Sequence, residues 1–288
     1  MTVQRWILHE ILAFHPRHPN NFAYSAGVTT LECVERHAGA TWMIKTDLHN
    51  YFPSVSESDV FRVFRKLGYS RLVAFELARI CTWTRPSGTN AAREPETTDT
   101  GILPYPRSAA AALPQGAPTS GALANAATWR LDVSLSEFAA RNNLVYTRYS
   151  DDMAFSSAKP FDRGTAAAQI GEITRIVTSL GFDLHERKTK IIPPGARKML
   201  LGMLITDEGV AILPEHRRRI ELYIHCVSRY GPVSFAEARN FDSAISLINH
   251  VEGWLAYLAH IDIEWTRSRS IEWSAALASH QVYSNVLE

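Results

Sequence analysis

"RYSDDMAFSS", residues Arg148 to Ser157, is the stretch whose reading decides the fold. It sets two adjacent aspartates in the middle of an alternating, strand-like run. Neighbouring residues on a strand point to opposite faces, so Asp151 and Asp152 cannot both line one pleated surface. A tight turn joining two strands is the expected address, and the wider run "NNLVYTRYSDDMAFSS" reads as a hairpin with this pair at its tip.

Upstream of the hairpin, Thr119 to about Arg141 is helix-periodic, with Leu123, Ala127, Leu131 and Leu135 about one turn apart and a Pro-Thr-Ser cap at its start. Before it lies "RPSGTNAAREPETTDTGILPYPRS", residues 85–108, too rich in Pro, Gly, Thr and Ser to be other than loop. Helix-spaced segments are predicted from about Glu57 to Leu67 and Arg71 to Thr82, and "TWMIKTDL" is a strand that carries Asp47 at its end. The apolar residues Trp6, Ile7, Ile11 and Leu12 predict a helix at the start of the chain. Downstream, the pattern predicts a helix from about Thr165 to Leu180, short strands around Phe182 to His185 and Lys190 to Ile192, and a strand over "KMLLGMLIT". Beyond Leu213-Pro214 the periodicity is helical: Arg218 to Ser228, Phe235 to His260 and Ile263 to Leu277. An α+β body therefore precedes an all-helical tail.

At 288 residues the chain has room for one large domain or a few packed subdomains. Thirty Lys+Arg against 29 Asp+Glu leave a net charge of +1, so bulk charge names no partner. Basic residues do gather at Arg187-Lys188-Lys190, Arg197-Lys198 and Arg217-Arg218-Arg219, where they can meet phosphates or simply form a solvated face. Three cysteines, Cys33, Cys81 and Cys226, are too few for a disulfide framework or a zinc site and fit a reducing cytoplasm. No apolar run reaches the roughly 18 residues that span a bilayer, and the N-terminus lacks the features of a signal peptide, so no membrane partner is expected. A Gly-rich phosphate loop, a zinc-spaced Cys/His set and a nucleophile elbow are all missing.

Chemistry concentrates on three carboxylates. If the strand ending at Asp47 neighbours the hairpin, Asp47 converges with Asp151 and Asp152, and like charges in a small volume raise one another's pKa. A divalent cation resolves that repulsion. All-oxygen ligation with few protein carboxylates suits Mg²⁺. Two such ions, about 3.5–4 Å apart, activate a hydroxyl and stabilise a leaving pyrophosphate in an in-line displacement. The alternative is plain turn chemistry, which an isolated Asp-Asp pair in a hairpin satisfies by itself.

The chain resembles the bacterial reverse transcriptases, the group of retron, group II intron and defence-associated enzymes. Tyr149-Ser150-Asp151-Asp152 matches their Tyr-x-Asp-Asp turn, and "DLHNYFPSV" from Asp47 to Val55 is similar to their Asp-Leu-x-x-Phe-Phe-x-Ser-Ile segment. "LPQGAPTSGALANAATWRLD", "GFDLHERKTKII" and "LLGMLI" resemble the segments that follow, and the likeness covers roughly Phe22 to Ile205. It implies a right-hand polymerase palm with reduced fingers and a C-terminal helical thumb: residues 1–40 partial fingers, 41–206 palm with an insertion at about 57–112, and 207–288 thumb. The implied activity is RNA-directed DNA synthesis, with two Mg²⁺ ions, for which Mn²⁺ can substitute, held by Asp47, Asp151 and Asp152.

By the same resemblance, Phe52 lies under the sugar and selects deoxynucleotides, while Leu48, Tyr51, Gln115, Gly116 and Tyr149 line the incoming nucleotide. Ser120, Asn125, Leu201 and Gly202 would meet primer and template. Lys188 would assist the leaving pyrophosphate, although a solvated charge is its plainer reading. The implied partners are an RNA template or structured noncoding RNA, a DNA or RNA primer and dNTPs, with a protein partner or second copy also compatible.

Several positions depart from the family pattern. The basic finger strands that usually come first are mostly absent, Val28-Thr29 replace an Arg-Ser pair, and Gly121 replaces a common proline. Of the retron-type Asn-Ala-x-x-His only His37 remains, and Leu200-Leu201-Gly202 stands for Val-Thr-Gly. These departures point to a defence-associated or divergent relative rather than a typical retron enzyme. Two other readings stay open: synthesis that is template-independent or primed on protein, with Tyr105 as a priming hydroxyl, and a non-catalytic palm that binds nucleic acid. Trp254, Tyr257, Trp265 and Trp273 are expected mainly in the core of the tail.

Overall fold

The computed structural model describes residues 2–84, 111–159 and 161–280. The predicted loop, residues 85–108 with Tyr105, lies outside the described residues. The chain divides into two compact units, residues 1–196 and 197–288.

The first unit is built on an antiparallel sheet of order β2-β3-β1-β4, formed by Val145–Tyr149 (β2), Asp152–Ser157 (β3), Trp42–Asp47 (β1) and Lys190–Ile192 (β4). Residues paired across strands share a face. Ile44 lies opposite Phe155 and Tyr146 opposite Phe155, so all three point one way. That face is closed by helices: Glu57–Lys66 (α4), Ser120–Ala127 (α6), Trp129–Arg141 (α7) and Arg163–Ser179 (α8), which contribute Val60, Phe64, Leu123, Leu131, Leu135, Phe138, Ile173 and Val177 to one core. The Phe155 ring stacks on Tyr146 at 4.8 Å and meets Phe138 edge-on at 6.0 Å. Local capping sets the helix starts. Ser56 and Asp59 form a capping box at α4, and Asp162 caps α8 through the Thr165 amide.

The opposite sheet face carries Lys45, Asp47, Asp152 and Ser156, and part of it is covered by the short helix Thr30–Glu35 (α2) and the turn after it. Thr29, one of the two residues that replace the family's Arg-Ser, caps α2 in a full capping box with Glu32. His37 then bridges the hairpin, with Nδ1 2.7 Å from Ser156 Oγ and Nε2 2.7 Å from Thr147 Oγ1. Burial pulls its pKa from 6.5 down to about 4. Between those two values the unfolded chain holds a proton here that the folded chain refuses, so stability is full above pH 6.5 and drains as pH falls toward 4. The expected loss across that window is about 3 kcal/mol. Urea unfolding at pH 7 and pH 4.5 checks it, because His37→Gln should flatten this part of the pH dependence.

Four elements differ from the sequence reading, one of them the helix expected over Phe235 to His260, which is two, Pro232–Ala238 and Ala244–Ala259. The helix expected over 119–141 is two, α6 and α7, broken at Thr128, whose Oγ1 bonds back to the Ala124 carbonyl at 2.7 Å. Thr119 occupies the cap position of α6 without a capping bond, and Ser120 Oγ instead donates to the Pro114 carbonyl. Phe182 to His185 is no strand; it crosses the end of β1 with a single bridge between Leu48 and Leu184, and a 3₁₀ turn follows at Glu186–Lys188.

In the second unit, "KMLLGMLIT" is a hairpin rather than one strand: Lys198–Leu200 (β5) and Met203–Ile205 (β6) turn back at Leu201-Gly202, both left-handed with φ 48° and 79°. Val210–Ala211 (β7) completes this small antiparallel sheet. Helices Pro214–Tyr230 (α9), Pro232–Ala238 (α10), Ala244–Ala259 (α11) and Ile263–Ala278 (α12) pack around Ile220, Val227, Leu247, Val251, Leu258, Trp273 and Leu277. Trp273 is buried as expected, and Trp254, Tyr257 and Trp265 pack partly buried against the same cluster. Arg219 lies over Trp254 and Arg217 over Trp265, with Arg217 also paired to Asp262 at 2.7 Å. No helix among the described residues is long and apolar enough to cross a membrane. The three cysteines are free, and burial pushes the Cys33 and Cys81 thiols up to about 11.

Candidate active site

Strand β1 delivers Asp47 to the sheet edge, and the β2–β3 hairpin delivers Asp151 and Asp152 beside it. Tyr149 pairs with Asp152, so Ser150 and Asp151 are the two loop residues, and Ser150 takes the left-handed φ of 60° that two-residue hairpin loops require. Asp47 and Asp152 are direct cross-strand partners. The Leu48 amide donates to the Asp151 carbonyl at 3.0 Å, and the His185 amide donates to the Asp47 carbonyl at 2.7 Å. These bonds lock the end of β1 between the hairpin loop on one side and residues 183–185 on the other.

The electrostatics are those of crowded carboxylates. Loss of solvent, then the neighbouring Asp151 and Asp47 charges, raise the Asp152 pKa, against a lowering pull from Lys45 and Lys188. The Lys188 ammonium sits 3.0 Å from both oxygens of Asp47, and this contact raises the lysine's own pKa. Among the described residues no three acidic, His or Cys side chains are already gathered as a metal cage. The donor set nevertheless fits a hard divalent ion: all-oxygen, like-charged, and already attracting a cation in the form of Lys188.

Beneath the loop lies a buried polar network. Arg148 and Asp132 are both fully buried and pair at 2.6 Å, with a second bond from Arg148 Nε at 2.7 Å. The remaining guanidinium donors reach the Ser150 carbonyl at 2.8 Å, the Tyr51 hydroxyl at 2.7 Å and Thr128 Oγ1 at 3.0 Å. Tyr146 donates to Asp132 Oδ1 at 2.9 Å, the oxygen that also accepts Arg148 Nε. Burial opposes the charge on Arg148, while the neighbouring Tyr51 and Asp132 hold its pKa above the ordinary value. One side chain thereby ties the catalytic loop, the short helix Tyr51–Ser54 (α3) and the α6–α7 break together.

Of the residues expected at the site, Asp47, Asp151, Asp152 and Lys188 come together. Phe52 is half-buried, with its ring 5.3 Å from Tyr51 and 5.9 Å from Tyr24. Tyr149 is half-buried at the hairpin end. Leu48 and Tyr51 are buried, the tyrosine hydroxyl turned into the Arg148 network, so their side chains serve the core from these positions. Gln115 and Gly116 form an exposed turn before α6, with Gly116 at φ 83°. Asn125 donates to the Ala23 carbonyl at 2.7 Å, and Ser120 is buried against Pro114. Leu201 and Gly202 belong to the second unit. Sequence reading missed Arg148 and Asp132. Their signal is a charged residue at an inward position of each element, Arg148 in phase with Tyr146 and Asp132 beside Leu131.

A four-stranded antiparallel sheet backed by helices, with one carboxylate at a central strand end and two on the adjoining hairpin, is the architecture of a polymerase palm. The family model for reverse transcriptase (RNA-dependent DNA polymerase) matches residues 2–205, and the chain belongs to this family. It is 29% identical over 261 residues to the retron Ec86 reverse transcriptase of Escherichia coli, spanning 91% of this chain and 68% of that protein. The retron Mx162 enzyme of Myxococcus xanthus is 33% identical over 215 residues, 72% of this chain and 43% of the relative. The retron Mx65 enzyme of the same organism is 29% identical over 264 residues, 91% and 56% of the two chains. The chain is thus similar to retron enzymes, although of their Asn-Ala-x-x-His pattern it keeps only His37 and it carries Leu200-Leu201-Gly202 in place of Val-Thr-Gly. Reverse transcriptases generally work with divalent metal ions.

Proposed function

We propose that this chain is an RNA-directed DNA polymerase of the retron type, adding dNTPs to a primer along an RNA template, with a structured noncoding RNA as its natural template. The observation that carries this reading is the register of Asp47 opposite Asp152 with Asp151 in the adjoining loop, closed by the Lys188 side chain. Asp47, Asp151 and Asp152 would hold two Mg²⁺ ions, with Mn²⁺ able to substitute. The ions supply Lewis-acid activation of the primer hydroxyl and charge stabilisation at the leaving pyrophosphate. Lys188, released from Asp47, would offer its positive charge to that leaving group.

Gln115, Gly116 and Tyr149 would flank the nucleotide, and Ser120, Asn125, Leu201 and Gly202 the primer and template. Residues 41–206 would act as palm, 1–40 as partial fingers and 207–288 as thumb. Nucleic acid would be held mainly through phosphates and A-form shape, so binding should weaken with salt. Free, largely buried cysteines and retron-type relatives support a cytoplasmic setting.

Phe52 is the proposed barrier to a 2′-hydroxyl. Phe52→Val should raise ribonucleotide incorporation relative to dNTP by roughly ten- to a hundredfold, the range that small steric changes in a pocket confer. Single-nucleotide extension with matched dNTP and rNTP pairs measures it.

The function itself is tested by incorporation of labelled dNTPs by the purified chain with Mg²⁺, with and without an annealed RNA template and DNA primer. Template-dependent synthesis that Asp151→Asn abolishes is the expected result. Absence of incorporation on any template, with salt-sensitive RNA binding retained, would favour a palm that only binds nucleic acid. Product covalently attached to the protein would favour protein priming.

A further inference from the structure

Tyr24 is placed by the chain before it. Residues 20–22 run beside β2, with the Arg148 amide donating to the Asn20 carbonyl at 2.7 Å and the Phe22 amide to the Arg148 carbonyl at 2.9 Å. This short pairing carries Tyr24 to the level of the catalytic loop. There the residue takes φ 54°, a left-handed conformation, unfavourable for a bulky aromatic, that persists only where its surroundings fix it. Its hydroxyl lies 3.0 Å from Ser150 Oγ, one residue from Asp151. Its ring lies 5.9 Å from that of Phe52 and is still 52% exposed.

The other side of the ring rests on Gly121 of α6. A Cβ built on Gly121 would clash with Tyr24 Cγ and come within 2.6 Å of Cδ1 and 2.9 Å of Cβ. The last of these is the root of the tyrosine side chain, so a rotation about χ1 could not relieve it. Gly121, the residue that departs from the usual proline, is thus the seat that Tyr24 requires. An exposed aromatic in a strained backbone, wedged among three segments that carry the family's nucleotide-lining residues, is poorly explained by packing alone.

We propose that Tyr24 is a nucleotide-contacting residue that sets substrate affinity: its ring and that of Phe52 form two walls against which the incoming nucleotide lies, and Gly121 is small so that this wall can stand. The proposal rests on the polymerase reading. It assigns the affinity for dNTP, rather than the rate of the chemical step, to a side chain outside the carboxylate site.

The test is steady-state dNTP incorporation on an RNA template by the full chain and by Tyr24→Ala, Tyr24→Phe, Gly121→Ala and the Tyr24→Ala/Gly121→Ala double variant. Tyr24→Ala should raise KM for dNTP about tenfold with a smaller change in kcat, the size of a lost aromatic stacking contact. Tyr24→Phe keeps the ring and should stay close to wild type in KM. Gly121→Ala should raise KM as Tyr24→Ala does, and the double variant should be no worse than Tyr24→Ala alone, since both changes remove the same wall. Unchanged KM in Tyr24→Ala, or a Gly121→Ala effect that persists undiminished in the double variant, overturns the inference while leaving the polymerase reading intact. An inactive wild type overturns both.

Discussion

Asp47→Asn is expected to reduce dNTP incorporation by roughly a thousandfold or more, corresponding to the several kcal/mol of charge stabilisation that metal-ion catalysis supplies. Asp47 is the buried member of the carboxylate set and the one that already holds a cation on both oxygens. The asparagine is nearly isosteric, but its NH₂ end would face the Lys188 ammonium and any ion that takes its place. The Leu48 and His185 backbone bonds that fix this strand end do not involve the side chain, so the fold should survive. Primer extension with the variant at raised Mg²⁺ and Mn²⁺ measures the loss, and circular dichroism establishes that the protein is folded. Activity within tenfold of wild type would remove Asp47 from the metal site.

Arg148→Met should cost about 3–5 kcal/mol of stability, the usual penalty for leaving one charge of a buried pair without its partner. Among the described residues Asp132 would keep only the Tyr146 hydroxyl as a side-chain donor, at zero exposure, while the Ser150 carbonyl and Tyr51 hydroxyl lose the guanidinium. The double change Arg148→Met/Asp132→Leu should recover a large part of that loss, because an apolar pair needs no solvation. Urea unfolding of the three proteins reads both numbers. A single variant as stable as wild type would mean that water or a shifted side chain satisfies Asp132 without the guanidinium.

The central hairpin was legible because period-two alternation, two adjacent acids and a strand end at Asp47 are all local signals. The same locality explains what was not. Thr128 breaks the helix because its hydroxyl serves both Ala124 and Arg148, and the second partner is distant in sequence. "KMLLGMLIT" has no polar side chain between Lys198 and Thr206, which conceals the left-handed pair Leu201-Gly202 in its middle. Residues 182–185 alternate like a strand but meet β1 beyond its last paired residue, where a single bridge is all that forms. At the site, the carboxylates and Phe52 could be read from motif spacing. Tyr24 could not, since its importance lies in a glycine 97 positions later and a hydroxyl contact to Ser150. Tyr51 shows the reverse: its position beside Phe52 suggests a ligand contact, while its hydroxyl belongs to the interior.

The Arg148 guanidinium also bears on the order of folding. It joins Tyr51, 97 residues earlier, to Asp132 and Ser150, its near neighbours in sequence. A contact of such separation must overcome loop-closure entropy before it contributes, so it forms only once the intervening helices have packed. The local hairpin can fold early, but its loop acquires the last bond that fixes it when the chain closes on Tyr51. Catalytic competence should therefore appear during refolding with global closure rather than with the first secondary structure, which leaves little room for a half-folded chain that polymerises.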